Sequence, residues 1–290
     1  MRYGTGWRPS PPDLRDYTMG NPAVHELLQK TNIPNTLKMP ITDISDKIMP
    51  AKADLRPGCS PVKDQGDLGA CTAFATIGAL EYCERQAFGK FQPASELFLY
   101  GRSLFLQGFK DDLGADIRTA IGALVAFGAP PSRFLPYEPK KFLATPAPEV
   151  FALAQSFQAL TYYRLDTPKQ TTAELLSLIK VKLAAKLPVI FGFTCYASID
   201  GDQVAQSGEV PFPARSERTV GGHAILAVGY DDDRVINSRH GALLFRNSWG
   251  TSWGVSGYGW LPYDYVLQGQ AEDFWVLVKA EWLDTGQFGF

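Results

Sequence analysis

The spacing of apolar positions changes character twice along the chain. Residues 1–50 show no period, are rich in Pro, Asp, Lys and Asn, and offer one short helical candidate at Pro22–Gln29. A segment with so little apolar periodicity cannot build its own core and reads as an arm lying on another surface. From Cys71 to Phe88 the pattern turns helical. Ala73, Phe74, Ile77, Leu80 and Ala87 recur at helical spacing, and other apolar residues extend round most of the circumference. That predicts a buried central helix, punctuated by Gly69 before it and Gly89 after it. Ser95–Gln107 and Asp116–Phe127 predict two further helices, with Asp116 as an N-cap and Gly128 as a stop.

Beyond Thr145–Pro148 the pattern changes again. One helix, Thr172–Lys186, precedes strand-like runs at Val189–Cys195, His223–Tyr230, Ala242–Arg246, Gly257–Leu261 and Phe274–Lys279. Helices first and strands later predict an α+β fold. Its parts are an arm at 1–50, a helical lobe at 51–148 and a β-rich lobe at 149–290, with the cleft between the lobes as the place for chemistry.

Composition narrows the function. With 28 basic and 30 acidic residues the net charge is −2, so neither nucleic-acid binding nor polybasic membrane docking is expected. No apolar run approaches a membrane span, and the N-terminal residues carry no signal-peptide pattern, which suggests a cytoplasmic protein or one exported by a non-classical route. Four cysteines without CxxC spacing, three histidines, and no P-loop or GxGxxG leave zinc and nucleotide chemistry without a motif; no cofactor is expected. His25 in the arm and His240 in a Gly-flanked loop read as solvated. Cys195 and Trp253 read as core, and Asp231-Asp232-Asp233 as an acidic turn ending a strand.

The chemistry concentrates in three segments. In Gln65-Gly66-Asp67-Leu68-Gly69-Ala70-Cys71, a cysteine opens a buried helix, where the positive end of the helix dipole stabilises a thiolate. Gly69 and Ala70 are small enough to let a substrate backbone approach the sulfur. In Gly221-Gly222-His223-Ala224 a histidine opens an apolar strand. The third segment is Asn247-Ser248-Trp249-Gly250. Together, in this order, they resemble the papain-like cysteine peptidases from about Asp54 to the C-terminus. The nearest pattern within that family is that of bacterial members with short prosequences.

The resemblance implies Cys71 as nucleophile, His223 as its base in a thiolate–imidazolium pair, and Asn247 orienting the imidazole under the cover of Trp249. Gln65 and the Cys71 N–H would bind the oxyanion. Peptide or protein substrates follow. An exopeptidase, amidase, acyl transferase or non-catalytic binding protein would use the same scaffold. Two departures are visible: Leu68 stands where the family has a disulfide cysteine, and Thr72 where it has an aromatic. The resemblance also offers Cys59–Cys83 as a disulfide, and the spacing between His223 and Asn247 implies an enlarged loop at Asp231–Gly241.

By the same resemblance, Gly114, Ala115 and Gly222 would pair with an extended substrate. Glu272 or Asp273 would lie at the floor of the pocket for the second residue before the scissile bond, favouring Arg as well as Phe or Leu. The arm, stiffened by Pro9, Pro11 and Pro12 and anchored by Trp7 or Tyr17, is expected to cross the cleft and act as an intramolecular inhibitor.

Overall fold

The computed structural model describes residues 3–22, 24, 49–155 and 157–282. The helix expected over Pro22–Gln29 falls almost wholly outside the described residues, and His25 lies outside them too. The helical lobe is built on α1 (Cys71–Phe88), buried along most of its length. It starts without a side-chain cap and ends on Gly89, whose φ of 72° needs no Cβ. Helix α2 (Glu96–Gln107) is capped by Ser95, and α3 (Ile117–Phe127) by Asp116, whose carboxylate takes the Thr119 N–H at 2.7 Å. A short α4 (Pro148–Ala154) follows, opened by Pro148.

The second lobe carries a seven-stranded antiparallel sheet. Strands β2 (Phe157–Arg164), β7 (Ala271–Trp282), β3 (Val189–Tyr196), β4 (Thr219–Ile236), β5 (Arg239–Arg246) and β6 (Tyr258–Pro262) lie in that spatial order, and β1 (Lys52–Asp54) pairs with β4. Helix α5 (Thr172–Ala184) opens with a capping box of Thr171 and Glu174. Two short helices complete the lobe, α6 (Asp202–Ser207) and α7 (Asp264–Leu267). Helix α1 packs against β4 and β7, so the start of the central helix faces the strand that begins near His223.

Three expectations are corrected. The Asp231–Gly241 segment is no loop: β4 and β5 continue as a twisted ribbon closed by Asn237 and Ser238, both at positive φ, as a two-residue hairpin turn requires. The three aspartates therefore lie in a bulged stretch of strand rather than a turn. Asp231 pairs with Lys52 and Asp232 with Lys180. Thirdly, Cys59 and Cys83 are free thiols. On α1 the Gly58–Cys59 turn meets Tyr82, Arg85 and Gln86, whereas Cys83 points about 100° away, towards the Leu277 carbonyl.

Candidate active site

The sequence places Cys71 at the first position of α1, where no side chain caps the helix and the first turn holds no acidic residue. Its sulfur accepts the Ala224 N–H at 3.4 Å, so β4 brings its own start alongside the nucleophile. One residue earlier on that strand is His223. Its Nε2 bonds Asn247 Oδ1 at 2.8 Å, while Nδ1 has no partner. Asn247 follows β5 directly and is fixed by its own N–H to Gly257 O at 3.0 Å. Trp249 lies over the imidazole, with ring centroids 4.4 Å apart and planes 20° from parallel, and keeps water from the His223–Asn247 bond.

Gln65 is held from both sides. Ser248 Oγ donates to Gln65 Oε1, Gln65 N–H donates to Ser248 O at 2.8 Å, and Gln65 Nε2 donates one hydrogen to Leu68 O at 2.8 Å. The second hydrogen of that amide stays free to donate. The tether lost with a cysteine at position 68 is replaced by Asp112. Its carboxylate accepts the Gly69 N–H at 3.0 Å and the Tyr100 hydroxyl, and Tyr100 in turn accepts the Gly114 N–H at 3.2 Å. One carboxylate thus ties the segment before the nucleophile to the wall at Gly114–Ala115. Sequence reasoning missed Asp112. The signal available was Leu68 itself, a tether position without its usual partner.

Residues 3–8 of the arm run between the two walls. Gly6 and Trp7 donate their N–H groups to Gly222 O, each at 3.1 Å; Ala115 donates to Gly6 O at 2.9 Å, and Arg8 to Ala115 O at 3.1 Å. The backbone groups of Gly222 and Ala115, expected from sequence to pair with an extended substrate, are here taken by the protein's own arm. Gly6 comes so close that a Cβ would sit 2.4 Å from Gly69 O. Tyr3 stacks on the outer face of Trp249 at 4.7 Å, and Trp249 Nε1 donates to Gly4 O at 2.7 Å. Gly114 has φ of 72° and also faces Gly6.

The Trp7 indole, 6% exposed, lies on Gly192 and Gly222, where a Cβ on Gly192 would stand 1.9 Å from the ring. At the far end Trp7 Nε1 donates to Asp273 Oδ2 at 3.2 Å. Of the two acidic candidates, Asp273 lies buried beneath the Trp7 indole and Glu272 is exposed. The pairing of β3 with β7 slips between Ile190 and Gly192, and Asp273 sits in that bulge at φ 65°, which turns its side chain under the ring. Tyr17 is half exposed and meets Tyr162 edge-on, so Trp7 is the buried anchor.

Burial dominates the electrostatics. Cys71 and His223 are both fully buried. Burial pushes the Cys71 thiol up to about 12 against the pull of nearby backbone N–H groups, and pushes the His223 imidazole down to about 4 against the Asn247 bond. With the arm in place, burial thus works against charge on both side chains of the pair. Cys195 and Trp253 are core, as expected, and His240 is exposed. Among the described residues no helix is long and apolar enough to cross a membrane, and no cluster of His, Cys, Asp and Glu forms a metal site.

A helix-borne cysteine, a strand-borne histidine bonded to asparagine under a tryptophan, and a glutamine beside them define a two-lobed cysteine hydrolase. The comparisons agree. Residues 152–272 match the family model described as papain family cysteine protease. An uncharacterised peptidase C1-like protein of Acanthamoeba polyphaga mimivirus is 32% identical over 284 residues, covering 95% of this chain and 86% of that one. Cysteine proteinase 3 of Entamoeba histolytica is 26% identical over 256 residues, covering 83% and 73%. Among solved structures, xylellain, a cysteine protease from Xylella fastidiosa, superposes with a TM-score of 0.75 at 30% identity, covering 95% of this chain and 96% of its own. The chain belongs to the papain family and is a papain-like cysteine peptidase, a hydrolase of peptide or protein substrates.

Proposed function

We propose that the protein is a cysteine endopeptidase with Cys71 as nucleophile, and that residues 3–8 of the arm hold its cleft shut until they are displaced. The observation that carries the reading is the bond from His223 Nε2 to Asn247 Oδ1, on the strand whose next residue donates to Cys71 Sγ. Asn247 fixes the ring so that Nδ1 is the nitrogen left to exchange a proton. Once the arm withdraws, water reaches the pair and the burial that works against its charge is relieved. The Cys71 proton then passes to His223, and the thiolate forms against the dipole of α1.

The thiolate attacks the scissile carbonyl carbon. The developing oxyanion is met by the Cys71 N–H and the free Gln65 amide hydrogen. His223 gives its proton to the leaving amine, the C–N bond breaks, and a thioester remains on Cys71. Water, losing a proton to His223, then releases the acid and restores the thiol. Gly114, Ala115, Gly222, the Trp7 pocket and Asp273 are the substrate-binding surface in this reading. Support for occlusion is that the arm takes the backbone groups of Gly222 and Ala115 and buries both catalytic side chains.

Two measurements test the proposal. Cys71→Ala should abolish hydrolysis of peptide amides with the fold intact by circular dichroism; His223→Ala should match it, and Asn247→Ala should lose less. Full activity in Cys71→Ala ends the peptidase mechanism. Removal of residues 1–20 should raise turnover of the folded enzyme, and unchanged turnover would make the arm a brace only.

A further inference from the structure

The pocket under Trp7 has an acidic floor whose charge is already matched. Asp273 is fully buried. Its Oδ1 accepts Trp275 Nε1 at 2.7 Å, and its two oxygens accept the Ser10 hydroxyl at 3.0 and 3.1 Å. Arg164, 1% exposed, places Nη1 3.2 Å from Asp273 Oδ1 and Nη2 2.6 Å from Asp166 Oδ2. Asp166 accepts the N–H groups of Asp273 and Phe274, and so locks the bulge that carries the floor residue. On the arm side Asp16 faces Arg164 at 3.7 Å and pairs with Arg118 at 2.6 Å. When the arm leaves, Asp16 leaves with it. Arg164 then still bridges Asp166 and Asp273, with Arg118 beside them, so the floor carboxylate keeps a cation of its own. Of the other acids nearby, Glu272 is exposed and Asp116 acts on Arg118.

We propose that Arg164, by neutralising Asp273, sets the pocket to accept an aromatic side chain carrying an N–H or O–H donor, tryptophan above all, and to refuse arginine and lysine. The inference rests on the reading that the arm occupies the substrate's place. A second cation entering the pocket would meet the guanidinium already on the carboxylate, in a site with little water to screen the repulsion. A neutral ring meets none, and the floor oxygen still takes one hydrogen bond, as it does from Trp7 Nε1. The walls at Gly192 and Gly222 have no side chains, so a flat double ring lies directly on backbone. Burial holds the Asp273 carboxyl up at about 6 in spite of Arg164, in keeping with a floor that is a poor counter-ion for a further charge. The broad Arg tolerance expected from sequence considered the carboxylate without Arg164, which the chain brings in from more than a hundred residues away.

The test uses full-length chains and reads the alkylation rate of Cys71 by iodoacetamide, mapped by mass, because this reports pocket filling without any turnover. Trp7→Ala and Trp7→Arg should both react at least tenfold faster than the intact chain, with Trp7→Phe between. In an Arg164→Gln background, Trp7→Arg should become protected again, at least fivefold relative to Trp7→Arg alone. Protection of Trp7→Arg equal to that of the intact chain overturns the proposal, as does failure of Arg164→Gln to favour arginine. Should Arg164→Gln not fold, the Trp7→Ala chain still decides: it should cleave a Trp-Arg dipeptide amide at least tenfold better than Arg-Arg, and equal rates overturn the inference. If that chain alkylates quickly yet cleaves neither amide, the catalytic reading fails, while the Trp7→Arg comparison still settles the pocket.

Discussion

The two ends of the cleft are built from opposite materials. Around Cys71 the groups carry no carboxylate or guanidinium: a thiol, an imidazole, two side-chain amides, a hydroxyl and backbone N–H groups, joined by hydrogen bonds. Around Trp7 the supporting groups are charged, with Arg164, Asp166, Asp273, Asp16 and Arg118 linked through largely buried pairs. The neutral end tolerates burial because an unpaired neutral atom, such as His223 Nδ1 or Asn247 Nδ2, costs far less than an unpaired charge. The charged end tolerates it only because cations and anions alternate, so losing one member leaves another exposed to the full cost of an unpaired buried charge. In the proposed reading, groups that change protonation belong with the first kind of construction, and an arm that holds or lets go belongs with the second.

Four substitutions bear on that contrast, taken from the largest expected effect. Trp7→Ala removes a buried indole, at about 3–5 kcal/mol, enough to shift docking of the arm by two orders of magnitude or more. In that variant Cys71 should be alkylated readily near pH 7. In the intact chain, where burial holds the thiol up at about 12, the rate should climb only towards alkaline pH. Identical pH profiles would mean that the charged end does not latch the neutral one.

Gln65→Ala acts at the neutral end alone. It should lower kcat by roughly a hundred- to a thousandfold, about 3–4 kcal/mol, with KM little changed, because its free hydrogen meets charge that exists only in the transition state. A loss confined to KM would move Gln65 from oxyanion binding to substrate docking.

Asp112→Ala cuts the tie between Gly69 and the Gly114–Ala115 wall. The loss of hydrogen bonds to a carboxylate should lower stability by about 2–3 kcal/mol and slow turnover, with Asp112→Asn recovering part of both. Thermal unfolding alongside kinetics separates the two effects, and turnover unaffected by either change would rule out a positioning role.

The smallest effect lies at the far end of α1. Burial raises the Glu84 carboxyl to about 7, opposed by the Gln92 N–H at 3.0 Å. Because the folded value lies above the unfolded one, the folded state holds more protons between pH 4.5 and 7, and stability falls as pH rises through that window. The fall should be on the order of 2 kcal/mol between pH 5 and 7, and Glu84→Gln should flatten it in urea unfolding curves. A slope that survives the substitution would point to other buried carboxyls.

The same contrast explains what could be read in the chain before folding. Cys71, His223, Asn247 and Gln65 each sit in a short segment legible in the sequence: Cys71 at the first position of α1, His223 four residues into β4, Asn247 directly after β5 and Gln65 in the stretch before α1. Periodicity likewise placed α1, α3 and β3 within a residue or two, because each has a long apolar face. Strand β2 escaped notice since its pattern is broken by register shifts against β7. The charged end was illegible for a different reason. Arg164, Asp273 and Asp16 carry no mutual spacing; a bulge in β7, the end of β2 and the arm bring them together only in the folded state. The long His223–Asn247 spacing implies a loop at 231–241, and only the fold brings in the lysines distant in sequence that pair with the aspartates of the ribbon found there.

The pile of rings Tyr3, Trp249 and His223 gives the molecule an optical gauge of its own state. An indole sandwiched between a phenol at 4.7 Å and an imidazole at 4.4 Å sits in an asymmetric field that produces near-ultraviolet circular dichroism. In the proposed opening, the arm would take the phenol from one face and the Gly4 carbonyl from the indole N–H, leaving the imidazole on the other face. Opening would then be readable in real time from light absorbed and emitted by Trp249, with no added label, in a chain whose other indole in the cleft, Trp7, belongs to the arm.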